Sequence, residues 1–208
     1  MLSNSHLPSL MIVDALVEGP TDEAVARRLV AHTGHQFGTC FGKRGCGFVR
    51  SKVSGVSQRA RFGIAVLTLI DHMDFDYLCP GALVGDWMPN RPAGMLLRVV
   101  VRELESWLLA DQEGVASYLH VSSALVPDNP EQENDPKQSL LNLARRSRKK
   151  RIRDAFVPAP GVSATVGPGY VGEVENFVFN AWNIEAASVV SSSLNRCLLR
   201  LRELPSDH

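Results

Sequence analysis

Apolar residues fall into short unbroken runs in the first half of the chain and into helical spacing in the second. Gly63-Ile64-Ala65-Val66-Leu67-Thr68-Leu69-Ile70 is the strongest run. An almost continuous apolar segment of this length is expected of a parallel strand buried on both faces. Ile12 to Val17 and Gly94 to Val101 have the same character. Between them the pattern predicts helices over 21–33 and 49–61, with Phe37 to Gly47 a weak strand and a glycine-rich loop. Thr21 is placed to cap the first helix, and Asp22 and Glu23 suit its first turn. A further helix runs from Arg102 to Asp111, anchored by Trp107, Leu108 and Ala110.

The character changes after that helix. Pro127 to Asp135 is polar, acidic and proline-containing, which predicts an exposed connection. Asp135 can cap a helix that has Pro136 at its first position and Leu140, Leu141 and Ala144 on its buried side. That helix runs on into the basic residues 145–153. Ser163 to Tyr170 is a Gly/Pro-rich loop, and helices near 171–182 and 186–203 close the chain. In the last, Ala187, Val190, Leu194, Cys197, Leu198 and Leu201 recur at helical spacing. Strands alternating with helices imply an α/β fold: a parallel sheet of about four strands with right-handed crossovers. The expected organisation is an α/β domain over 10–125 and a helical extension over 126–208, packed together as one unit. Residues 1–10 read as a loose leader.

Composition adds little to this picture. The 208 residues are 45% hydrophobic and 21% charged, which is ordinary for a globular protein with a sizeable core. The 22 basic and 22 acidic side chains cancel, so no global attraction to nucleic acid follows. Cys40, Cys46, Cys79 and Cys197 are too few and too scattered for a disulfide scaffold, and there is no Cys-x-x-Cys pair for zinc. The N-terminus has no signal-peptide pattern, and no window approaches about 18 apolar residues. A cytoplasmic protein with reduced thiols and no membrane association is expected.

Charge distribution changes the picture more. The first apolar run ends in Glu18-Gly19, with Asp22 a turn later. The strongest run ends in Asp71-His72-Met73-Asp74-Phe75-Asp76. The third runs into Glu103 and Glu105. Carboxylates at the C-terminal ends of parallel strands lie where open α/β sheets bind ligands. Several of them at one edge repel one another unless a cation neutralises them. Mg²⁺ or Mn²⁺ suits such oxygen donors and leaves waters for a phosphate substrate. Each acid also has a plainer reading: Glu18 as a solvated turn residue, the aspartates as turn formers, Glu103 and Glu105 as helix-dipole partners. His72 reads as a packed or hydrogen-bonding residue rather than a ligand.

Two basic features stand beside the acids. Lys43 and Arg44 lie in a glycine-rich loop whose backbone could approach a phosphate, although its spacing is that of neither a P-loop nor a dinucleotide fingerprint. Arg145, Arg146, Arg148, Lys149, Lys150, Arg151 and Arg153 form a dense run that could bind a phosphate backbone or could be a solvated helix face. No aromatic residues interleave with it, so sequence-specific recognition has no support.

Val17-Glu18-Gly19-Pro20-Thr21-Asp22 resembles the first Toprim motif, and Leu69-Ile70-Asp71 with Asp74 and Asp76 resembles the second. The closer similarity is to small bacterial Toprim-like proteins known mainly as a domain of unknown function. It rests on Arg102-Glu103-Leu104-Glu105-Ser106-Trp107-Leu108-Leu109-Ala110-Asp111, on Asp135-Pro136-Lys137, and on Gly167 to Tyr170 before Trp182. It spans residues 12–203. The resemblance implies a Toprim-like, Rossmannoid sheet and kinship with the nuclease domain of OLD-type proteins, which pair it with an ATPase, often in phage defence. It matches Glu18 and Asp22 to the acidic positions of the first motif and Asp71 to the first Asp of the second. The chain departs from the pattern at Met73, where the second Asp is expected; Asp74 and Asp76 follow instead.

The expectation is therefore a metal-dependent nuclease using Mg²⁺ or Mn²⁺, with DNA ahead of RNA as substrate. Its catalytic residues would be Glu18, Asp71, Glu105 and Lys137, and its metal ligands would come from Glu18, Asp22, Asp71, Asp74, Asp76, Glu103 and Glu105. Lys43, Arg44 and the basic run would hold nucleic acid. No ATPase motif occurs in the chain, so an ATPase partner would be a separate protein. The alternative is a non-catalytic Toprim-like subunit that docks nucleic acid or an ATPase.

Overall fold

The computed structural model describes residues 10–204, so all but the last residue of the expected leader lies outside the described residues. Four strands carry the fold: β1 (Ile12–Val17), β2 (Gln36–Gly42), β3 (Ala65–Asp71) and β4 (Met95–Val100). All pairings are parallel, in the order β2-β1-β3-β4. Ala15 stands opposite Cys40 on one side and Leu67 on the other, and Leu67 opposite Leu96. The chain moves outward from β1 to β2, then returns to the far side of β1 for β3. The topological switch point thus falls between the C-terminal ends of β1 and β3, the crevice where such sheets bind ligands.

Helices cover both faces. Helix α1 (Pro20–His32) follows β1, α2 (Cys46–Ser57) follows β2 and α3 (Pro80–Trp87) follows β3. After β4 come α4 (Leu104–Leu109), α5 (Gln112–Leu119), α6 (Pro136–Arg145), α7 (Lys150–Phe156), α8 (Tyr170–Asn180), α9 (Ile184–Val190) and α10 (Ser192–Arg202). Alternation along the strands sorts the core. Val13, Ala15, Val17, Leu67 and Leu69 pack with α1 and the helices from α4 onward. Leu16, Val66, Ile70, Leu97 and Val99 pack with Val49 and Val53 of α2 and Leu83 of α3. The expected helical extension shares one continuous core with the sheet, including Trp107, Phe156, Phe177 and Leu198. No helix among the described residues is long and apolar enough to cross a membrane.

Several boundaries differ from those the pattern predicts. Helix α1 begins at Pro20, and its cap position is Gly19 rather than Thr21; Asp22 accepts the Gly19 N–H at 3.0 Å. Residues 36–42 form a full edge strand, not a weak one. Helices α3 and α5 are additional to the predicted elements, and the segment after β4 divides into α4 and α5 at Asp111, whose carboxylate accepts from Gly114. The predicted helix over 135–153 breaks between α6 and α7. There the Ser147 hydroxyl accepts the Lys149 N–H at 3.1 Å, and the Arg153 guanidinium donates to the Ser147 carbonyl at 2.5 Å. The predicted 186–203 helix likewise divides at Ser191, whose hydroxyl caps α10.

Candidate active site

Glu18 follows β1 directly, Asp71 ends β3, and Glu103 and Glu105 follow β4. Parallel register carries all of them to the same edge of the sheet. Glu18 reaches across the switch point, and its Oε1 accepts the Asp71 backbone N–H at 3.2 Å. Asp22, one turn into α1, joins from above Gly19 and is buried. Lys137 arrives from the first turn of α6, which Asp135 caps by accepting from Gln138 at 2.7 Å. Its Nζ stands 3.3 Å from Glu105 Oε1 and 3.7 Å from Glu103 Oε2. Its backbone N–H donates to Glu103 Oε1 at 2.6 Å. The Tyr170 hydroxyl, at the start of α8, donates to Glu105 Oε1.

The electrostatics follow from burial and mutual repulsion. Burial, then the charge of Asp74, pushes the Glu18 carboxyl up to about 8. Burial, then Glu105, pushes Asp22 up to about 7. Asp71 is raised well above the carboxylate range by burial and by Asp22, Glu105, Glu18 and Glu103 together. Glu103 is raised by burial and Glu105. Lys137 moves the other way: burial lowers it, but Glu105 and Glu103 outweigh that and hold it above its ordinary value. The Lys137 ammonium faces Glu103 and Glu105, while burial and mutual repulsion favour the protonated forms of Glu18, Asp22 and Asp71 in the metal-free site.

The residues present fit a hard divalent cation. Asp71 Oδ1 and Glu105 Oε2 are buried acceptors with no hydrogen-bond partner among the described residues. Free buried carboxylate oxygens are costly, and a cation is the group that relieves them. Glu18 and Asp74 also bring carboxylate oxygens within 4.8 Å of each other and of the Cys46 thiol. Burial and the charges of Glu18 and Asp74 raise the Cys46 pKa, which keeps it a thiol and leaves oxygen as the dominant donor type.

The aspartates after β3 separate. Asp74 lies beside Glu18, on a short 3₁₀ turn (His72–Asp74). Asp76 is exposed and makes no hydrogen bond or ion pair among the described residues, so the gathering of carboxylates omits it. Its neighbour Phe75 turns inward instead, edge-on to Trp87 at 4.9 Å. Met73 is exposed as well.

The basic residues also separate. Lys43 is tied to Glu23 at 2.8 Å, and Arg44 stacks over Phe48 at 4.9 Å. In the basic run, Lys150 pairs with Asp154 at 3.5 Å and Arg151 pairs with Glu173. Arg145 donates to Asn142, and Arg148 leans on the His120 carbonyl at 3.4 Å. Arg146 and Lys149 are exposed, and neither has an acidic partner among the described residues.

Two residues near the site were not singled out by sequence reasoning. Cys46 comes to Glu18 because the 42–45 loop folds back over the end of β1: Lys43 N–H donates to Val17 O at 2.9 Å and Gly45 N–H to Glu18 O at 3.0 Å. Gly42, Lys43 and Gly45 all have positive φ there, which the glycine-rich composition hinted at. Tyr170 is the other; its place at the end of the Gly167-Pro168-Gly169 turn was the available signal. Comparison with protein-family models, with curated proteins and with solved structures gives no match for this chain.

Proposed function

We propose that this chain is a metal-dependent phosphodiesterase that hydrolyses nucleic acid, DNA ahead of RNA. The observation that carries the reading is the gathering of Glu18, Asp22, Asp71, Glu103 and Glu105 at the C-terminal edge of a parallel sheet, with Lys137 against the last two. Glu18, Asp71 and Glu105, with Asp22, Asp74 and Glu103 beside them, would hold Mg²⁺ or Mn²⁺. The bound ion would polarise a phosphodiester and lower the pKa of water. The chain's own groups have separate tasks. Glu18 would serve as a ligand, and its Oε1 accepts the Asp71 backbone N–H, which ties the ends of β1 and β3 together. Lys137 keeps its charge and can face a phosphate oxygen. Tyr170 and Lys137 fix the Glu105 carboxylate in place. Lys137 also begins the α6 helix that ends in the basic run, so Arg145 and Arg146 lie about 12–14 Å along that helix, within reach of the same strand. A separate ATPase partner and a role in defence rest on the Toprim resemblance alone.

The exposed positions of Met73 and Asp76 favour a second reading, a non-catalytic Toprim-like subunit. The two are separated by incubating the full chain with supercoiled plasmid, single-stranded DNA and RNA in Mg²⁺ or Mn²⁺, beside Glu18→Ala and Asp71→Ala. The catalytic reading expects cleavage that falls at least about 100-fold in each variant. Equal cleavage by wild type and variants would sink it. An inactive wild type that also fails to bind Mn²⁺ by electron paramagnetic resonance would establish the second.

A further inference from the structure

A separate cationic cleft lies at the outer edge of the sheet. β4 is an edge strand, and a space of about 450 Å³ opens between it, the first turn of α3 and α10. Arg91, Arg98 and Arg196 line it, together with Pro80 and Gly81 at the start of α3. Arg200 is close enough for its charge to act on both Arg91 and Arg98. No aspartate or glutamate lines the cleft. Arg91, Arg98 and Arg196 have no acidic partner among the described residues, while Arg200 pairs outward with Glu203 at 2.7 Å.

The surroundings of the cleft point to an anion. Arg98 interrupts an otherwise buried strand, Met-Leu-Leu-Arg-Val-Val, at a cost the fold does not recover by pairing it. Its Nε is buried without a hydrogen-bond partner. Burial holds the Arg98 pKa below its ordinary value, and Arg91, Arg200 and Arg196 act the same way against an opposing effect of Cys197. The first turn of α3 adds partial positive charge, since Cys79 at its cap position offers no side-chain acceptor. Guanidinium groups set around a cleft match phosphate oxygens two at a time. The volume lies within the range of about 300–1,000 Å³ typical of small-ligand sites.

We propose that the cleft between β4, α3 and α10 binds a phosphate-bearing anion of nucleotide size through Arg91, Arg98 and Arg196. The phosphate comes either from a free nucleotide or from the phosphorylated end of a nucleic-acid strand. The site uses none of the carboxylates at the other edge and stands independently of the phosphodiesterase reading.

The test is calorimetric titration of the full chain in EDTA, so that the acidic site takes no part. The probes are ADP, pyrophosphate, and a short single-stranded oligonucleotide with a 5′-phosphate or a 5′-hydroxyl. The site expects one-to-one binding that weakens at least tenfold in Arg98→Gln and in Arg196→Gln and is unchanged in Lys52→Gln. Binding of ADP or pyrophosphate with this pattern identifies a free nucleotide as the source. Binding confined to the 5′-phosphorylated strand identifies the strand end. Arg196 is exposed on α10, so Arg196→Gln carries the test even if Arg98→Gln fails to fold by circular dichroism. Equal affinity in wild type and the arginine variants, or no binding of any probe at millimolar concentration, overturns the proposal.

Discussion

Lys137 meets Glu103 twice, through its backbone N–H at 2.6 Å from Oε1 and through its ammonium at 3.7 Å from Oε2. The two residues are 34 positions apart, and the double contact pins the start of α6 to the end of β4. The same ammonium faces Glu105 at 3.3 Å. Lys137 therefore serves as both a structural tie and a positive charge within a buried acidic group. Lys137→Met keeps the stem and removes the charge. We expect it to lower stability by about 1–3 kcal/mol at neutral pH, since two buried carboxylates lose their cation. Urea denaturation reads this directly, and a variant as stable as wild type would show that the ammonium is solvated rather than engaged.

Stability of the metal-free chain should fall as pH rises from about 5 to 8. The sign follows from the raised carboxyls. Glu18 near 8 and Asp22 near 7 are protonated in the folded state at the acidic end of this window and release their protons towards its upper end, while the unfolded chain has already lost most of them near pH 5. The folded state binds more protons, so its advantage is full below the ordinary carboxylate pKa and shrinks as pH climbs through the folded values. In EDTA the Tm should drop by more than about 3 °C between pH 5.5 and 8. Glu18→Gln should flatten the slope, and Mg²⁺ or Mn²⁺ should restore stability at pH 8. A Tm that rises with pH contradicts the picture.

Tyr170→Phe isolates one hydrogen bond. The ring packs edge-on against Phe156 at 5.6 Å, and that contact survives the substitution. What is lost is the hydroxyl donated to Glu105. Glu105 Oε2 already lacks a partner, so among the described residues the carboxylate is then left with the Lys137 ion pair and no side-chain hydrogen bond. The expected cost is about 1–3 kcal/mol in chemical denaturation. Cleavage activity, if present, should fall with it because Glu105 gains freedom to rotate. A neutral effect on both would mean that the hydroxyl is replaceable by water.

Gly42→Ala should damage the site from a distance. Gly42 has φ of 102°, and a Cβ there would overlap the Val17 carbonyl oxygen, which is backbone and cannot move aside. The loop would have to lift from the end of β1, taking Lys43 and Cys46 with it. We expect a loss of roughly 1–3 kcal/mol from the strained backbone alone, and weaker Mn²⁺ binding. Gly47→Ala is the control, since its added methyl meets open space. Equal behaviour of the two variants would remove the argument.

The sequence made the sheet legible because its strands are buried on both faces, and burial leaves an unbroken apolar run. Glu18, Asp71 and Glu105 were legible for a related reason: in a parallel sheet, acids at successive strand ends must come to one edge. Helices α3 and α5 were not, since Pro-Gly-Ala-Leu-Val-Gly-Asp-Trp and Gln-Glu-Gly-Val-Ala-Ser-Tyr-Leu are only about two turns long and carry internal glycines. The break between α6 and α7 has neither glycine nor proline to announce it; a buried serine makes it. Among Asp71, Asp74 and Asp76 the sequence offered no means of choice. The choice was made by Phe75, which packs against Trp87, while Asp76 stays in solvent. Cys46 was invisible because its nearness to Glu18 depends on three positive-φ residues folding a loop back.

The basic run should act through a subset of its residues. Lys150 and Arg151 already face Asp154 and Glu173, so a phosphate would have to displace an existing partner. Arg146 and Lys149 face solvent without one. Neutralising both as Arg146→Gln with Lys149→Gln should weaken single-stranded DNA binding. It should also reduce the slope of log K against log salt concentration by about 1.4, at roughly 0.7 per phosphate contact. Lys150→Gln with Arg151→Gln removes the same formal charge but leaves Asp154 and Glu173 uncompensated, so its salt slope should change by less than one contact. Fluorescence anisotropy over a range of salt concentrations separates the two. Identical slopes for both pairs would mean that net charge alone, rather than the arrangement of partners, sets the affinity.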